Sequence, residues 1–298
     1  MPAGSVVPVT APLRLLSVHA HPDDESSKGA PTVAKYRAEG IPSTLVCCTG
    51  GEAGEVLNPA MDRPEVHEHL ADVRRDELQA AVDVIGYDRL EYLGYHDSGM
   101  PESPDNARSD NFWNAPLDEA VERLVRIIRR DRPQVVVTYG DDQRNYAHPD
   151  HLKVHDISVP AFERAGDPDW YPDAGEPWQP LKLYYTVWSR RRMLALHEKF
   201  LELGVESPFD DEWLARINDF HQDDRITTQV EIGDFYEVRE KALLAHATQV
   251  DPSSPFWFGL PTDVTRDLHP WDDYILARSL VDSDVPETDL FAGVPGRS

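Results

Sequence analysis

Two short runs hold the residue types that do chemistry. Ala20-His21-Pro22-Asp23-Asp24-Glu25 and, about half the chain later, Tyr146-Ala147-His148-Pro149-Asp150-His151 each set imidazole and carboxylate groups around a proline. Proline fixes φ and has no N–H to donate, so it holds its neighbours in one relative geometry and does not continue a strand. A helix-capping turn accounts for one Asp in such a run, but not for His21, Asp23, Asp24 and Glu25 together. A catalytic zinc takes three N/O protein ligands and keeps one position for water. His21, Asp24 and His151 supply two imidazoles and one carboxylate, which leaves Asp23 and His148 beside the metal for proton transfer. Such a site suits hydrolysis of an unreactive bond such as an amide. Coordination lowers the pKa of water from ~15.7 towards ~7, and Asp23 then takes its proton. His148, or the phenol of Tyr146, stabilises the developing oxyanion or protonates the departing amine, and the residue types alone leave both assignments open. One divalent ion per chain is expected, and the ligand set suits ferrous iron as well as zinc.

Residues so placed need rigid strand ends beneath them. The first run follows an apolar segment at 13–20 and the second follows a β-branched segment at 134–139, and in an open parallel sheet ligands bind beyond the carboxyl ends of strands. Further strands are expected at 43–49, 90–93, 181–188 and 226–232. Helices are expected at 27–39, 64–85, 117–132, from His151 towards Arg164, at 191–203 and at 236–247, with Gly40 and Gly86 as C-terminal caps. The fold class is α/β: a Rossmann-like, mostly parallel sheet flanked by helices, with a Pro- and aromatic-rich C-terminal extension. The domain is placed at 12–250, residues 251–298 are read as an arm packed on it, and residues 1–11 as a loose tail. The Gly-rich loop 50–55 has two acids and no Lys, so it reads as a turn lining the site and not as a phosphate cradle. The segment 98–116, with three prolines, reads as a long surface loop near the site.

The 298 residues are enough for one large core, and 40% are apolar. The balance of 29 Lys+Arg against 54 Asp+Glu gives a net charge of −25, which makes nucleic acid and anionic membranes poor partners. Cys47 and Cys48 are adjacent on one strand, where successive side chains face opposite ways, so both are expected reduced in a cytoplasmic protein. No basic stretch precedes an apolar one near Met1, and no run of about 18 apolar residues occurs, so neither export nor a membrane span is expected. Dinucleotide, nucleophile-elbow and His-Glu-x-x-His motifs are absent; His197-Glu198 has Leu201 where the second His would stand. Arg74 and Arg75 within a helix read, by pattern alone, as an exposed charged face.

The two His-Pro-Asp runs resemble those of the PIG-L/LmbE-like zinc-dependent N-deacetylases. Within that superfamily, residues 18–30, Leu57-Asn58-Pro59-Ala60-Met61, Asp97-Ser98-Gly99-Met100, residues 171–178 and Ala245-His246-Ala247-Thr248-Gln249 are similar to the mycothiol S-conjugate amidases. The resemblance implies zinc on His21, Asp24 and His151, with Asp23 as general base and His148 as acid or oxyanion partner. It also implies substrate contacts from Lys28, Arg74 and Asp97. The implied substrate is a small pseudodisaccharide thiol conjugate, cleaved to a mercapturic acid and glucosaminyl-inositol in thiol detoxification. Phe112-Trp113 and Phe256-Trp257-Phe258 are candidates for an apolar pocket that admits varied S-substituents. Three departures bear on substrate identity: Arg144-Asn145 stands where the amidases have Gly-Gly, Thr186 where they have Asn, and the 101–115 loop differs. Rival readings are a deacetylase of N-acetylglucosaminyl-inositol, a paralogous amidase of a natural-product pathway, a metal-dependent phosphoesterase and a non-catalytic zinc-binding module.

Overall fold

The computed structural model describes residues 12–144 and 146–297, so the tail expected at 1–11 and the departure at Asn145 lie outside the described residues. Seven strands form one sheet: β1 (Leu15–His19), β2 (Ser43–Thr49), β3 (Arg89–Tyr95), β4 (Val135–Thr138), β5 (Lys182–Val187), β6 (Thr228–Glu231) and β7 (Trp271–Ser279). Their order is β3-β2-β1-β4-β5-β7-β6. The first five are parallel, whereas β7 runs antiparallel to both β5 and β6. The helices are α1 (Asp24–Ser27), α2 (Ala30–Ala38), α3 (Pro64–Glu68), α4 (Leu70–Ile85), α5 (Leu117–Asp131), α6 (Pro149–Arg164), α7 (Arg190–Glu202), α8 (Asp211–Asp219), α9 (Tyr236–Ala245), α10 (Pro255–Phe258) and α11 (Thr262–Leu268).

β1, β2 and β4 are buried along their whole length, as strands covered by helices on both faces must be. Leu16, Val18, Val46 and Val136 pack with α5 and α6 on one face; Leu15, Leu45, Val135 and Val137 pack with α2, α4 and α9 on the other. Cys47 and Cys48 fall on opposite faces, both buried and both free, as the strand period requires. A third cluster, Met193, Phe200, Phe209, Ile217 and Leu260, joins α7, α8 and the segment after α10.

Because β1 is flanked by β2 on one side and β4 on the other, the chain reverses its direction of winding between β1 and β4. The crevice at that switch point is where an open α/β sheet binds ligands, and both His-Pro-Asp runs leave the sheet there.

Four features differ from expectation. The helix foreseen at 27–39 is α2, which starts only at Ala30 after the separate turn α1, because Gly29 takes φ +102 between them and a Cβ there would stand 3.0 Å from the Tyr274 hydroxyl. The helix foreseen at 64–85 breaks at His69, and α8 had no counterpart in the reading. Residues 251–298, read as an arm packed on the domain, supply an inner strand of the sheet, β7. Its apolar pattern is interrupted by Asp272 and Asp273, which are buried and paired: Thr32 donates to Asp272 (2.7 Å), and Asp273 accepts from Gln229 (2.8 Å) and pairs with His269 (2.8 Å).

Candidate active site

His21, Asp23 and Asp24 occupy the turn from β1 into α1. Asp23 has φ +99, a left-handed conformation that costs a non-Gly residue about 1–3 kcal/mol and persists only where the surroundings impose it. Here the Asp23 N–H donates to Glu25 Oε2 (2.9 Å), while the Asp23 carbonyl accepts from the N–H groups of Ser26 and Ser27 (3.1 Å each). The second run forms the start of α6. His148 is its N-cap, its Nδ1 accepting from the Asp150 N–H (3.2 Å), and Pro149 sits in the first turn, where no N–H is missed.

The two runs converge on Asp24. Its Oδ2 lies 3.4 Å from His21 Nδ1 and 3.3 Å from His151 Nε2, and the three ligand atoms of His21, Asp24 and His151 fall within 4.8 Å of one another. The far side of the His21 ring faces Asp150, with Nε2 donating to Asp150 Oδ2 (3.2 Å), so that in the neutral ring the Nδ1 lone pair is directed towards Asp24. Asp150, fully buried, also accepts from the Ser98 N–H (2.9 Å) and the Ser98 hydroxyl. A carboxylate behind a ligating imidazole fixes ring orientation and tautomer. Two imidazoles and a carboxylate, with a free lone pair aimed inward, are a donor set that suits a divalent ion of the zinc or iron type. His21, Asp97 and His148 form a second set with equally close ligand atoms, sharing His21.

The charges agree with such a site. Burial opposes a charge on His21, but Asp97, Asp150 and Asp24 outweigh it and hold the imidazole well above its ordinary range, at a place where a cation would relieve three carboxylates. Among the protein groups alone, burial and then the adjacent Asp24 carboxylate push Asp23 up to about 7. Burial, then His21 and His151, bring His148 down to about 4.

The other expected residues lie around the same cleft, which measures about 1000 Å³ and is lined by His21, Asp23, Asp24, Lys28, Arg74, Asp97, Tyr146, His148 and His151 among others. Lys28 reaches back one turn to Asp24 Oδ1 (2.5 Å). Asp97 accepts from the Gly99 N–H (2.8 Å) and lies 3.5 Å from His21 Nε2; burial raises its pKa, but the His21 charge prevails and the carboxyl stays below its ordinary range. Arg74 is no exposed charge. It is 2% accessible, donating through Nη1 to the Gly51 carbonyl and through Nη2 to the Glu55 carbonyl (2.9 Å), whereas Arg75 is exposed and paired with Asp72. Gly51, φ +70, leaves the room that Arg74 fills, since a Cβ there would stand 3.0 Å from Nη1. Tyr146 is 53% exposed, and its hydroxyl is directed at Met100 Sδ (3.6 Å). His155, four residues beyond His151, instead bonds the Tyr139 carbonyl (3.2 Å).

The aromatic wall differs from the one expected. Phe256 and Trp257 line the cleft together with Trp188 and Trp213, but Phe112 is in the core, and Trp113 and Phe258 are not among the lining residues. Of the three departures, Thr186 faces the cleft, while Arg144 is exposed and paired with Asp142.

A layer of buried residues that the sequence pattern does not reveal lies behind the first contacts. Besides Asp150, it contains Glu25 and His246, fully buried, with Glu25 Oε1 2.7 Å from His246 Nε2. Burial opposes both charges, but each outweighs it for the other: Glu25 is held down and His246 is held up. Glu77 pins the turn that carries His246, accepting from the Thr248 N–H (2.8 Å) and hydroxyl (2.7 Å). The signal was the pair of motif residues, Glu25 and His246, that no first-contact role had claimed.

A PIG-L family model, described as GlcNAc-PI de-N-acetylase, matches residues 16–162. The chain belongs to the PIG-L family of metal-dependent deacetylases and is a hydrolase of amide C–N bonds. It is 46% identical to a mycothiol S-conjugate amidase of Streptomyces coelicolor, over 96% of this chain and 99% of that one. It is 39% identical to a 1D-myo-inositol 2-acetamido-2-deoxy-alpha-D-glucopyranoside deacetylase of Streptomyces scabiei, over 96% and 91%. Among solved structures, N,N'-diacetylchitobiose deacetylase from Pyrococcus horikoshii shares the fold, with a TM-score of 0.60 at 17% identity over 90% of this chain and 85% of that one. Among the described residues no helix is long and apolar enough to cross a membrane.

Proposed function

We propose that this chain hydrolyses S-conjugates of mycothiol at the amide between an S-substituted N-acetylcysteine and glucosaminyl-inositol, in the cytoplasm. The observation that carries the reading is the cleft: about 1000 Å³ beside the His21–Asp24–His151 set, with Arg74 and Asp97 at one side and the aromatic group of Trp188, Trp213, Phe256 and Trp257 among its other walls. An acetyl group needs little of that space, whereas an S-substituted cysteine uses an apolar wall.

His21, Asp24 and His151 would hold one zinc ion, which when bound polarises the scissile carbonyl and makes a water acidic enough to attack at neutral pH. Asp23, held by its backbone clear of the ligand position, accepts a proton from the attacking water. His148 has Nδ1 committed to the Asp150 N–H, so Nε2 carries a proton and donates a hydrogen bond to the developing oxyanion. Tyr146, turned to Met100, is the weaker candidate for that role. As the C–N bond breaks, the amine takes a proton and the acyl carbon keeps the hydroxyl, so one water is consumed for each acid and amine released. Arg74 and Asp97 contact the sugar–inositol part, and Lys28 faces the substrate.

The test compares kcat/KM for a bulky S-conjugate of mycothiol with that for N-acetylglucosaminyl-inositol. Every ~1.4 kcal/mol of differential transition-state binding is a tenfold ratio, and a preference of at least about tenfold for the conjugate is expected. A ratio favouring the acetylated compound would assign the chain to deacetylation, and activity on neither would point to a natural-product amide.

A further inference from the structure

Next to the cleft lies a second, smaller cavity of about 40 Å³, lined in part by Trp188, Arg192, Tyr236, Arg239 and Glu240. It shares Trp188, Leu243, Phe256 and Trp257 with the cleft, so the two are separated by a single layer of side chains. No step of the hydrolysis uses it.

Its polar lining is rich in donors without acceptors. Arg239, on α9 and 3% exposed, donates through Nη2 to Asp272, while its Nε and Nη1 make no hydrogen bond of good geometry and its Cζ lies 5.1 Å from the Tyr236 ring, whose phenol both arginines hold below where burial alone would put it. Trp188 Nε1 is likewise buried without an acceptor. Arg192, on α7, lies 5.8 Å over the Trp188 ring, and no hydrogen bond ties its guanidinium to the described residues. The nearby carboxylates are engaged elsewhere. Asp272 accepts from Thr32 (2.7 Å) as well as from Arg239; Asp273 is shared by His269, Ser189 and Gln229, with Arg191 at 3.2 Å; Glu240 accepts from the Thr262 hydroxyl (2.5 Å). A buried charged donor left unpaired costs more than a neutral one, and here two guanidiniums face one cavity; burial and then the neighbouring Arg239 disfavour the charge on Arg192.

We propose that this cavity is an oxyanion subsite of the cleft, in which Arg192, Arg239 and the Trp188 N–H take a carboxylate borne by the S-substituent of the substrate. A guanidinium fork matches a planar carboxylate, and aromatic rings beneath the cations leave their edges free to donate. The shared aromatic wall gives the substituent its path: its apolar part lies against Phe256 and Trp257 while its acid passes Trp188. Assignment to the S-substituent rests on the proposed substrate class; binding of a carboxylate by the arginines does not.

The test has two arms. In the first, metal-loaded protein is titrated calorimetrically with benzoate, and with benzamide as the neutral isostere. Carboxylates also ligate metals, so Arg192→Gln and Arg239→Gln locate the site. We expect saturable benzoate binding, weakened at least tenfold by either substitution, and no comparable binding of benzamide. Benzoate binding that both variants retain in full would place it on the metal alone and overturn the subsite. If Arg239→Gln fails to fold for want of its Asp272 partner, Arg192→Gln decides, because Arg192 has no hydrogen bond to lose. In the second arm, KM is compared for S-carboxymethyl and S-carbamoylmethyl conjugates of mycothiol. A tenfold lower KM for the acid, lost in Arg192→Gln, is expected. Equal KM values beside intact benzoate binding would overturn the S-substituent as the source and leave a free carboxylate as the ligand. If neither conjugate is hydrolysed the substrate reading falls, while the titration still decides the subsite.

Discussion

Replacing His246 with Gln tests whether the layer behind the first contacts holds the general base. The Glu25–His246 pair is fully buried at 2.7 Å, and the other oxygen of Glu25 holds the N–H of Asp23 in its left-handed conformation. Removing one member of a buried charge pair costs about 3–5 kcal/mol, because the partner's charge is left uncompensated. For a chain of this length each kcal/mol moves Tm by about 2 °C, so His246→Gln should lower it by about 6–10 °C. Glu25→Gln should cost a similar amount. In the double variant neither charge remains to be stranded and two amides can face each other, so the two losses should fall short of adding by at least about 1.5 kcal/mol. The assay is thermal and denaturant unfolding of all four proteins, with metal content by atomic spectroscopy and turnover on the same samples. Metal content should persist, since neither residue is a ligand, while turnover falls in both single variants as Asp23 loses its anchor. Single variants that each cost under about 1 kcal/mol, with losses that simply add, would refute the reasoning.

His151→Ala should lose the bound metal and His155→Ala keep it, as read by metal analysis after dialysis; the reverse result would exchange their roles. Asp23→Asn should retain metal and lose turnover by about 10²–10⁴-fold, the usual worth of general-base catalysis, and near-native turnover would remove Asp23 from the mechanism. Glu287 should make stability depend on pH below about 4.5: burial pushes its carboxyl up, but bonds from Lys182, Ser283, Tyr184 (2.6 Å) and Thr228 (2.7 Å) outweigh this and leave it depressed. A depressed carboxyl contributes stability fully above its unfolded value, about 4.3, and loses it as pH falls through the folded one. Urea midpoints of wild type should therefore fall with pH in that window more steeply than those of Glu287→Gln, and parallel curves would contradict this.

The continuous apolar runs of β1, β2 and β4 and the prolines of the two His-Pro-Asp runs are local signals, and they are enough to place His21, Asp24 and His151 beyond the carboxyl ends of strands in a parallel sheet. Cys47 and Cys48 were assigned to opposite faces by the strand period alone. Other properties depend on partners far away in the chain. Arg74 looks like surface until the Gly51 and Glu55 carbonyls surround it; Asp150 gains a role only when His21, 129 residues earlier, turns its Nε2 towards it. The same holds for β7, which lies in a segment that reads as an arm, because a local pattern cannot show that Thr32, Arg239 and His269 wait to pair Asp272 and Asp273 inside the sheet. Periodicity and turn chemistry act over a few residues and are written in the chain's order. Whether a buried charge is tolerated depends on a second group brought close only by folding, so the layer behind the site, the donor-lined cavity and the inner position of β7 were decided by the tertiary structure.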